Sequence, residues 1–405
     1  MIATSFKGIL AVSVMLIVER HLHHEMGHHP GQIKSIAAFS NADDIHVVTW
    51  SGLKQFPASA LPSNRREHLK VHYVLETSSA LKEIADVESL TVSEAQTLAR
   101  IVSESGATRD DVIVVPTASA HDLRVAITLA KTDGPKIILR IIVLRALYEL
   151  SEEHRDSVRK FQLDGRIHLS CETEEMQDAA RSQYNLACHC DFILPCNILP
   201  DDGVSENLRG ASFRVGMLGG QRREKGSRRL RSFVRAIRTQ SRKMNSPPKV
   251  TLVVQTTPKK KPMRTLITLK ILLCAKILPG YPNVEMLWGA QSSKDFHSVL
   301  CGLDCVLLPY ELDRYTTSGS GMIIDAVNAA LPVIRTRGMA MAKCLSFGNG
   351  IEATSDDEFA KAILDMAANP APYNAATQQA RIAMHARYAK FPFCPSSEFL
   401  APKAA

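Results

Sequence analysis

Residues 304–338 read DCVLLPYELDRYTTSGSGMIIDAVNAALPVIRTRG. Val306-Leu307-Leu308-Pro309 is a short apolar run, which suits a strand buried on both faces. A polar loop, Tyr310 to Ser318, leads through Gly319-Ser320-Gly321 into a predicted helix, Met322 to Ala330. Pro332-Val333-Ile334 then reads as a second strand. Strand, loop, helix and strand in this order predict an α/β class with a parallel sheet. A helix preceded by Ser and Gly turns free N–H groups and the positive end of its dipole toward the crevice, so Ser318, Gly319, Ser320 and Gly321 are candidate anion-binding residues.

A second stretch, FRVGMLGGQRREKGSRRL at 213–230, has the same form. A strand (Arg214 to Leu218) runs into Gly219-Gly220, a basic cluster and Gly226 before the next helix. Glycines let the backbone turn tightly and approach a ligand, which makes Gly220 a candidate binding residue. Arg222 offers a planar fork and Lys225 a point charge for phosphate. Two such sites in one half of the chain point to a diphosphate-bearing ligand.

GGQRREKG resembles the strand–GxR–x–x–KG segment of GT-B glycosyltransferases that use nucleotide-sugars. Tyr310 to Asp325 with NAALPVI resembles their E-x(7)-E region, the group 1 type, and the G-x-P-V-I that follows it. The similarity is closest over residues 213–359. Asp325 matches the second Glu of that region, Thr317 stands at the first, and Ala330 stands where the family usually has Gly. The resemblance implies a GT-B fold, two Rossmann-like domains whose parallel sheets face a central cleft. Residues 1–205 would be the acceptor-side domain and 206–370 the nucleotide-sugar domain, with 371–405 a terminal helix and tail crossing back. It implies transfer of a sugar, of the hexosyl class, from a nucleotide-sugar donor to a glycan or lipid-linked acceptor in polysaccharide biosynthesis. It also implies Asp325 on the nucleotide ribose, no required metal or other cofactor, and, where the E-x(7)-E region is intact, retention at the anomeric carbon. A catalytically degenerate GT-B-like binding protein is the alternative that Thr317 raises.

The 405 residues suffice for two domains, and 45% hydrophobic with 22% charged residues is ordinary for a globular protein. A formal charge of +8 favours anionic partners. No RNA-binding motif with interleaved aromatics is present, so nucleic acid is not expected. Nine cysteines without a framework spacing fit a reducing, cytoplasmic setting, and the Cys188-His189-Cys190 pattern lacks the second pair of a zinc knuckle. There is no run of ~20 apolar residues to span a membrane. Gly8 to Val18 resembles a signal h-region, but Glu19-Arg20 follows in place of a small-residue cleavage site, so a first strand, Val12 to Val18, is expected instead.

The loop Glu19 to Gln32 follows that strand, and GT-B enzymes have a glycine-containing loop at this place. The resemblance therefore makes Gly27 and His28, with His29 beside them, candidates toward the acceptor or the donor phosphates. The same loop matches HExxH at His24–His28, the pattern of a zinc metallopeptidase. Gly27 and Pro30 break the helix that such a site needs, and Lys34 stands where a third ligand would fall. Further strands are expected at Ile45–Trp50, His72–Leu75, Asp111–Pro116, Lys136–Leu144, Arg166–Ser170 and Asp191–Leu194. Ligands bind beyond the carboxyl ends of such strands, so His121 and Asp122, after the fourth, are candidate catalytic residues on the acceptor side. In the second half a helix is expected at Ser227–Lys243, with Arg228, Arg231, Arg235, Arg238 and Arg242 on one face; that face suits either solvent or an anionic membrane. A strand at Val250–Gln255, a helix at Arg264–Leu278 and a final helix at Ala375–Phe391 complete the expectation.

Overall fold

The computed structural model describes residues 12–22, 28–57, 60, 68–76, 86–195, 212–219, 222–226, 228–256, 281–289 and 291–394. The expected helix at 264–278, Gly27, Gly220 and most of the HExxH match lie outside them. The chain divides into two compact units, Met1–Ile198 with Ala386–Ala405, and Leu199–His385.

In the first unit the elements are β1 (Val14–Glu19), α1 (His29–Phe39), β2 (Asp44–Trp50), β3 (Leu69–Leu75), α2 (Val87–Ser105), β4 (Val112–Ala118), α3 (Ala120–Ala130), β5 (Lys136–Ile141), α4 (Arg145–Tyr148), α5 (Glu152–Leu163), β6 (Ile167–Cys171) and α6 (Glu174–Tyr184). Six parallel strands lie in the order β3-β2-β1-β4-β5-β6. Leu16, Val48, Ile113, Leu139 and Leu169 of the strands bury against Leu98, Leu123, Val158 and Met176 of the helices. Polar side chains start the helices: Asp86, Ser119, Ser151 and Thr173 each accept from a first-turn N–H.

The second unit contains β7 (Phe213–Met217), α7 (Leu230–Ser241), β8 (Val250–Thr256), β9 (Asn283–Trp288), α8 (Ser293–Cys301), β10 (Cys305–Leu308), α9 (Leu312–Tyr315), α10 (Gly321–Asn328), β11 (Val333–Thr336), β12 (Gly350–Ala353) and α11 (Asp356–Ala368). Its six parallel strands run β12-β11-β10-β7-β8-β9. Val215, Leu252, Cys305 and Ile334 pack against Phe233, Ile237, Phe359 and Ile363. The last helix, α12, is Ala371–Tyr388.

Both sheets have one topology. The chain lays two strands outward on one side of the first strand, returns, and lays three on the other side. The switch point falls between β1 and β4 in one unit and between β7 and β10 in the other.

Several elements depart from expectation. No strand forms at 191–194; the chain there makes one bridge, Ser170 to His189, and then runs free of the ladder. Strand β5 stops at Ile141, and α4 takes the residues beyond it. Helix α1 begins at His29, four residues early, because Pro30 fits the first helical turn, where its missing N–H costs nothing. The loop 310–318 is not uniformly polar: it carries α9 and buries Tyr310 and Tyr315.

Candidate functional site

In an open parallel sheet the crevice outside the carboxyl ends of the strands, at the switch point, is where a ligand fits. In the second unit this crevice lies beyond β7 and β10, the two strands that precede the Gly-rich turn and the Tyr310 loop. The two stretches that dominate the sequence therefore meet. Gly219 has φ +92, and a Cβ there would lie 2.8 Å from Lys225 Nζ and 3.3 Å from Met322 Cγ. Gly226, φ +75, seats against Pro309, whose carbonyl oxygen would be 2.6 Å from an added Cβ. Glu311 N–H donates to the Glu224 carbonyl at 2.8 Å. A side chain at Gly226 would push the two loops apart, whereas one at Gly219 would displace the Lys225 ammonium and hold a strained backbone angle.

The cations are arranged around this junction. Lys225 Nζ donates to the Gly219 carbonyl at 2.9 Å and lies 5.5 Å from the centre of the Tyr310 ring. Arg222 is exposed, 3.3 Å from Glu224, and Arg314 is 3.8 Å from the same carboxylate. Burial, then Tyr315, raises the Tyr310 hydroxyl well above the usual tyrosine range, so it stays protonated. Helices α5, α6 and α11 open on Glu or Asp, whereas α10 has no acid in its first turn. Ser320, its N-cap, makes no side-chain cap among the described residues, and its own N–H points to Met341 Sδ at 3.2 Å. Helix α10 thus keeps its positive end uncompensated by side-chain charge. Ser318, Gly319 and Gly321 are half-buried on the way in, and Asp325 is buried one turn further along. Arg222, Lys225, Ser318 to Gly321 and Asp325 all stand at this one switch point.

The first unit is furnished differently. Arg20, 2% exposed, donates from Nε to Asp122 Oδ1 at 2.8 Å, from Nη1 to the Glu76 carbonyl at 2.7 Å and from Nη2 to Glu94 Oε2 at 3.0 Å. His121 is buried, with Nε2 2.8 Å from Glu94 Oε2 and Nδ1 3.5 Å from Thr91 Oγ1. Asp122 closes a capping box, accepting from Ser119 N–H at 2.8 Å and Ser119 Oγ at 2.6 Å. Burial alone would raise the Asp122 carboxyl; Arg20 and Ser119 override it and hold the group ionised. His121 and Asp122, expected as catalytic residues, are both bonded into the packing of α2, α3 and the end of β1. Arg140, wholly buried on β5, donates to the Pro116 carbonyl at 2.6 Å and to Glu172 at 2.5 Å.

Ahead of β1 and β4 stand Glu19, His21, His28 and His29. His28 is the N-cap position of α1; it is exposed as a residue, and crowding of its ring, first by protein atoms and then by His29 at 4.0 Å, lowers its pKa. His28 belongs to the first unit, and Arg222 and Lys225 to the second. Glu19, Arg20 and Arg140 were not singled out as functional by sequence reasoning. The pair Glu19-Arg20, two charges directly after an apolar run, is the signal that was present.

No protein-family model matches the sequence, and no curated protein matches it. Solved structures do. HepE of Anabaena, in complex with UDP and glucose, aligns with a TM-score of 0.56 at 13% identity, over 92% of this chain and 95% of that one. A trehalose-6-phosphate structure from E. coli, bound with UDP-2-fluoro glucose, aligns with a TM-score of 0.63 at 12% identity, over 93% and 96%. Sucrose-phosphate synthase from Thermosynechococcus elongatus gives 0.52 at 12%, over 93% and 95%. Two six-stranded parallel sheets of this order, together with these likenesses, show that the chain has the GT-B fold, two Rossmann-like α/β domains.

Proposed function

We propose that the protein is a nucleotide-sugar-dependent glycosyltransferase. One observation carries the reading: the switch point of the second sheet joins a Gly turn, two cations and the uncompensated N-terminus of α10. That is the equipment for a nucleoside diphosphate. The neighbouring structures solved with UDP or a UDP-sugar support it. Residues 206–370 hold the donor, with Arg222, Lys225 and the N–H groups of Ser318 to Gly321 on the diphosphate and Asp325 on the ribose. The same groups stabilise the charge that develops on the departing phosphate, and they do so already in position, before the bond breaks. Residues 1–205, with the tail 371–405, hold the acceptor, a glycan or lipid-linked glycan of polysaccharide assembly, and the transferred sugar is a hexose.

A lipid-linked acceptor places the protein at the cytoplasmic face of a membrane. Among the described residues no helix is long and apolar enough to cross one. Arg228, Arg231, Arg235 and Arg242 are exposed along α7 and its ends, a face suited to anionic headgroups. Arg238 does not belong to that face: it stacks 4.3 Å from the Tyr281 ring and donates to its hydroxyl at 2.7 Å. Flotation with phosphatidylglycerol vesicles checks the contact; no binding at low salt removes it.

The primary test is a thermal-shift panel of UDP, GDP, ADP and their sugar conjugates, with and without EDTA. One nucleoside diphosphate should raise the melting temperature by mass action, in EDTA as well. No shift by any of them overturns the proposal. Thr317, in place of an acid, favours a second reading, a GT-B-shaped binding protein. Binding of a nucleotide-sugar without any turnover would establish that reading.

A further inference from the structure

The N–H of Ser320, at the entrance of α10, is turned onto a sulfur. It lies 3.2 Å from Met341 Sδ, and both residues are buried. A thioether is a weak acceptor, poorer than a carbonyl or carboxylate oxygen. Met341 holds φ +69 and ψ +29, a left-handed backbone that bulky side chains rarely adopt. Such a conformation persists only where its surroundings impose it. Arg335 of β11, buried, donates through Nη1 to the carbonyls of Met339 and Ala340 and through Nη2 to Glu352 at 2.7 Å. The Ala340 N–H donates to the Tyr315 carbonyl of α9 at 2.8 Å. The turn 336–341 is thus pinned from the sheet on one side and from α9 on the other, and it delivers the Met341 side chain to α10. A second donor at this place is worse provided for. Tyr310 Oη, facing the Ser320 side chain, is buried without a hydrogen-bond partner among the described residues. Buried donors are normally satisfied, so an amide held by sulfur beside a hydroxyl held by nothing marks a position for an acceptor that arrives from outside.

We propose that Met341 is a stopper on the donor site: its thioether occupies the place of a phosphate oxygen on the Ser320 N–H and swings away when a nucleoside diphosphate binds. The proposal rests on the glycosyltransferase reading and adds to it a control on donor affinity. The exchange is favourable because a charged phosphate oxygen makes a hydrogen bond roughly twice as strong as a neutral acceptor does. It is local because methionine is unbranched and flexible, so the sulfur moves by side-chain rotation while the pinned backbone stays. No covalent bond changes. In the empty protein the sulfur keeps the amide satisfied, and the contact that it gives up is subtracted from the affinity for the donor.

Two variants of the full chain test this, read by titration calorimetry with whichever of UDP, GDP and ADP gives the largest thermal shift. Met341→Leu keeps the bulk and removes the acceptor. The Ser320 N–H is then unsatisfied until ligand arrives, so the diphosphate should bind about 5-fold more tightly while the free protein melts lower. Met341→Gln keeps the length and offers a stronger acceptor, so the diphosphate should bind about 5-fold more weakly. A purely structural role would move both affinities the same way. Affinities that move together, or that stay unchanged, overturn the stopper, while the binding itself keeps the donor site. Methyl spectra of the unaltered protein, 13C-labelled at methionine, read the same event without any variant. The contact between the Met341 methyl and the Ser320 amide proton, seen as a nuclear Overhauser effect, should vanish on saturation with the diphosphate; a contact that survives saturation overturns the proposal. If none of the three diphosphates binds the unaltered protein, the donor reading falls, and the stopper with it.

Discussion

The two sheets have the same strand order and opposite uses of charge at the switch point. Behind β1 and β4, Arg20, Glu94, Asp122 and His121 are buried and satisfy one another. Beyond β7 and β10, Arg222, Arg223 and Arg314 are exposed, and their acid partners stand 3.3 to 3.8 Å away. Charges that are sealed and mutually bonded organise a core and cost a great deal if one is removed. Charges in water, loosely paired, contribute little to stability and remain able to exchange a carboxylate for a phosphate. Topology alone therefore does not say which crevice takes an anion; the degree to which its cations are already satisfied does.

The largest effect should come from breaking the sealed side. Arg20→Met leaves Glu94 and Asp122 buried without their cation, and should destabilise the first unit by about 3–5 kcal/mol. Trp50 and Trp288 are the only tryptophans, one in each unit. Urea unfolding followed at Trp50 in a Trp288→Phe background isolates that unit, and an unchanged midpoint would mean the network is not worth what its burial implies. On the open side the expectation reverses. Arg222→Ala with Lys225→Ala should weaken nucleoside diphosphate binding by ~100-fold or more, at about 1.5 kcal/mol or more for each charged hydrogen bond lost. The urea midpoint of the second unit should hardly move, and titration calorimetry with the nucleotide found in the thermal panel measures the binding.

The contrast also has a pH dependence. On β2 and β3, His46 Nδ1 lies 3.1 Å from His72 Nε2 with the rings stacked 5.3 Å apart, so at most one proton sits between them. Burial, and for His46 also His72 and Lys70, lowers both pKa values; Asp44 opposes this at His46, Glu104 opposes it at His72, and Lys70 and Arg100 reinforce it there. A base with a depressed pKa binds fewer protons folded than unfolded, so stability is full above the unfolded value near 6.5 and falls as pH drops below it. The first unit should lose stability between about pH 6.5 and 5, before its low-titrating carboxylates contribute. His72→Gln should flatten that loss when urea midpoints are compared across the range; an unchanged slope would assign the loss to other groups.

What the sequence showed follows from these differences. The inner strands were legible because residues buried on both faces read as unbroken apolar runs, as in Leu252-Val253-Val254 of β8 or Val306-Leu307-Leu308 of β10. Edge strand β3, LKVHYVL, was recognised only from His72, because half-buried residues alternate with polar ones and pairing to β2 supplies the rest. The junction of the two loops at the second switch point was legible because turn glycines and cations are consecutive in the chain. The Arg20 network was not: its partners Glu94 and Asp122 are 74 and 102 residues away, and nothing local marks them. His121 and Asp122 were placed correctly at a strand end, but whether a strand-end residue faces ligand or core depends on the helix packed against it.

The smallest effect lies at a helix end, where the two units make opposite choices. Helix α2 ends at Gly106, φ +73, with the Ala107 N–H on the Val102 carbonyl and the Gly106 N–H on the Ser103 carbonyl. Helix α10 ends in the same double bond: Leu331 N–H to Ala326 O at 2.9 Å and Ala330 N–H to Val327 O at 3.0 Å. The residue in the left-handed conformation there is Ala330, φ +51, at the place where the resembling family usually has Gly. A Cβ in that conformation costs about 1–2 kcal/mol, and glycine returns part of the gain, about 0.4–1 kcal/mol, through its freer unfolded chain. Ala330→Gly should therefore stabilise the second unit by about 0.5 kcal/mol, read as a small rise in the urea midpoint at Trp288 with Trp50→Phe. Gly106→Ala should do the opposite in the first unit, by a similar amount, because nothing lies within 4 Å of a Cβ there and the backbone angle alone decides. If Ala330→Gly lowers the midpoint instead, Ala330 makes a contact that outweighs its strain, and the departure from Gly in this run is a packing choice.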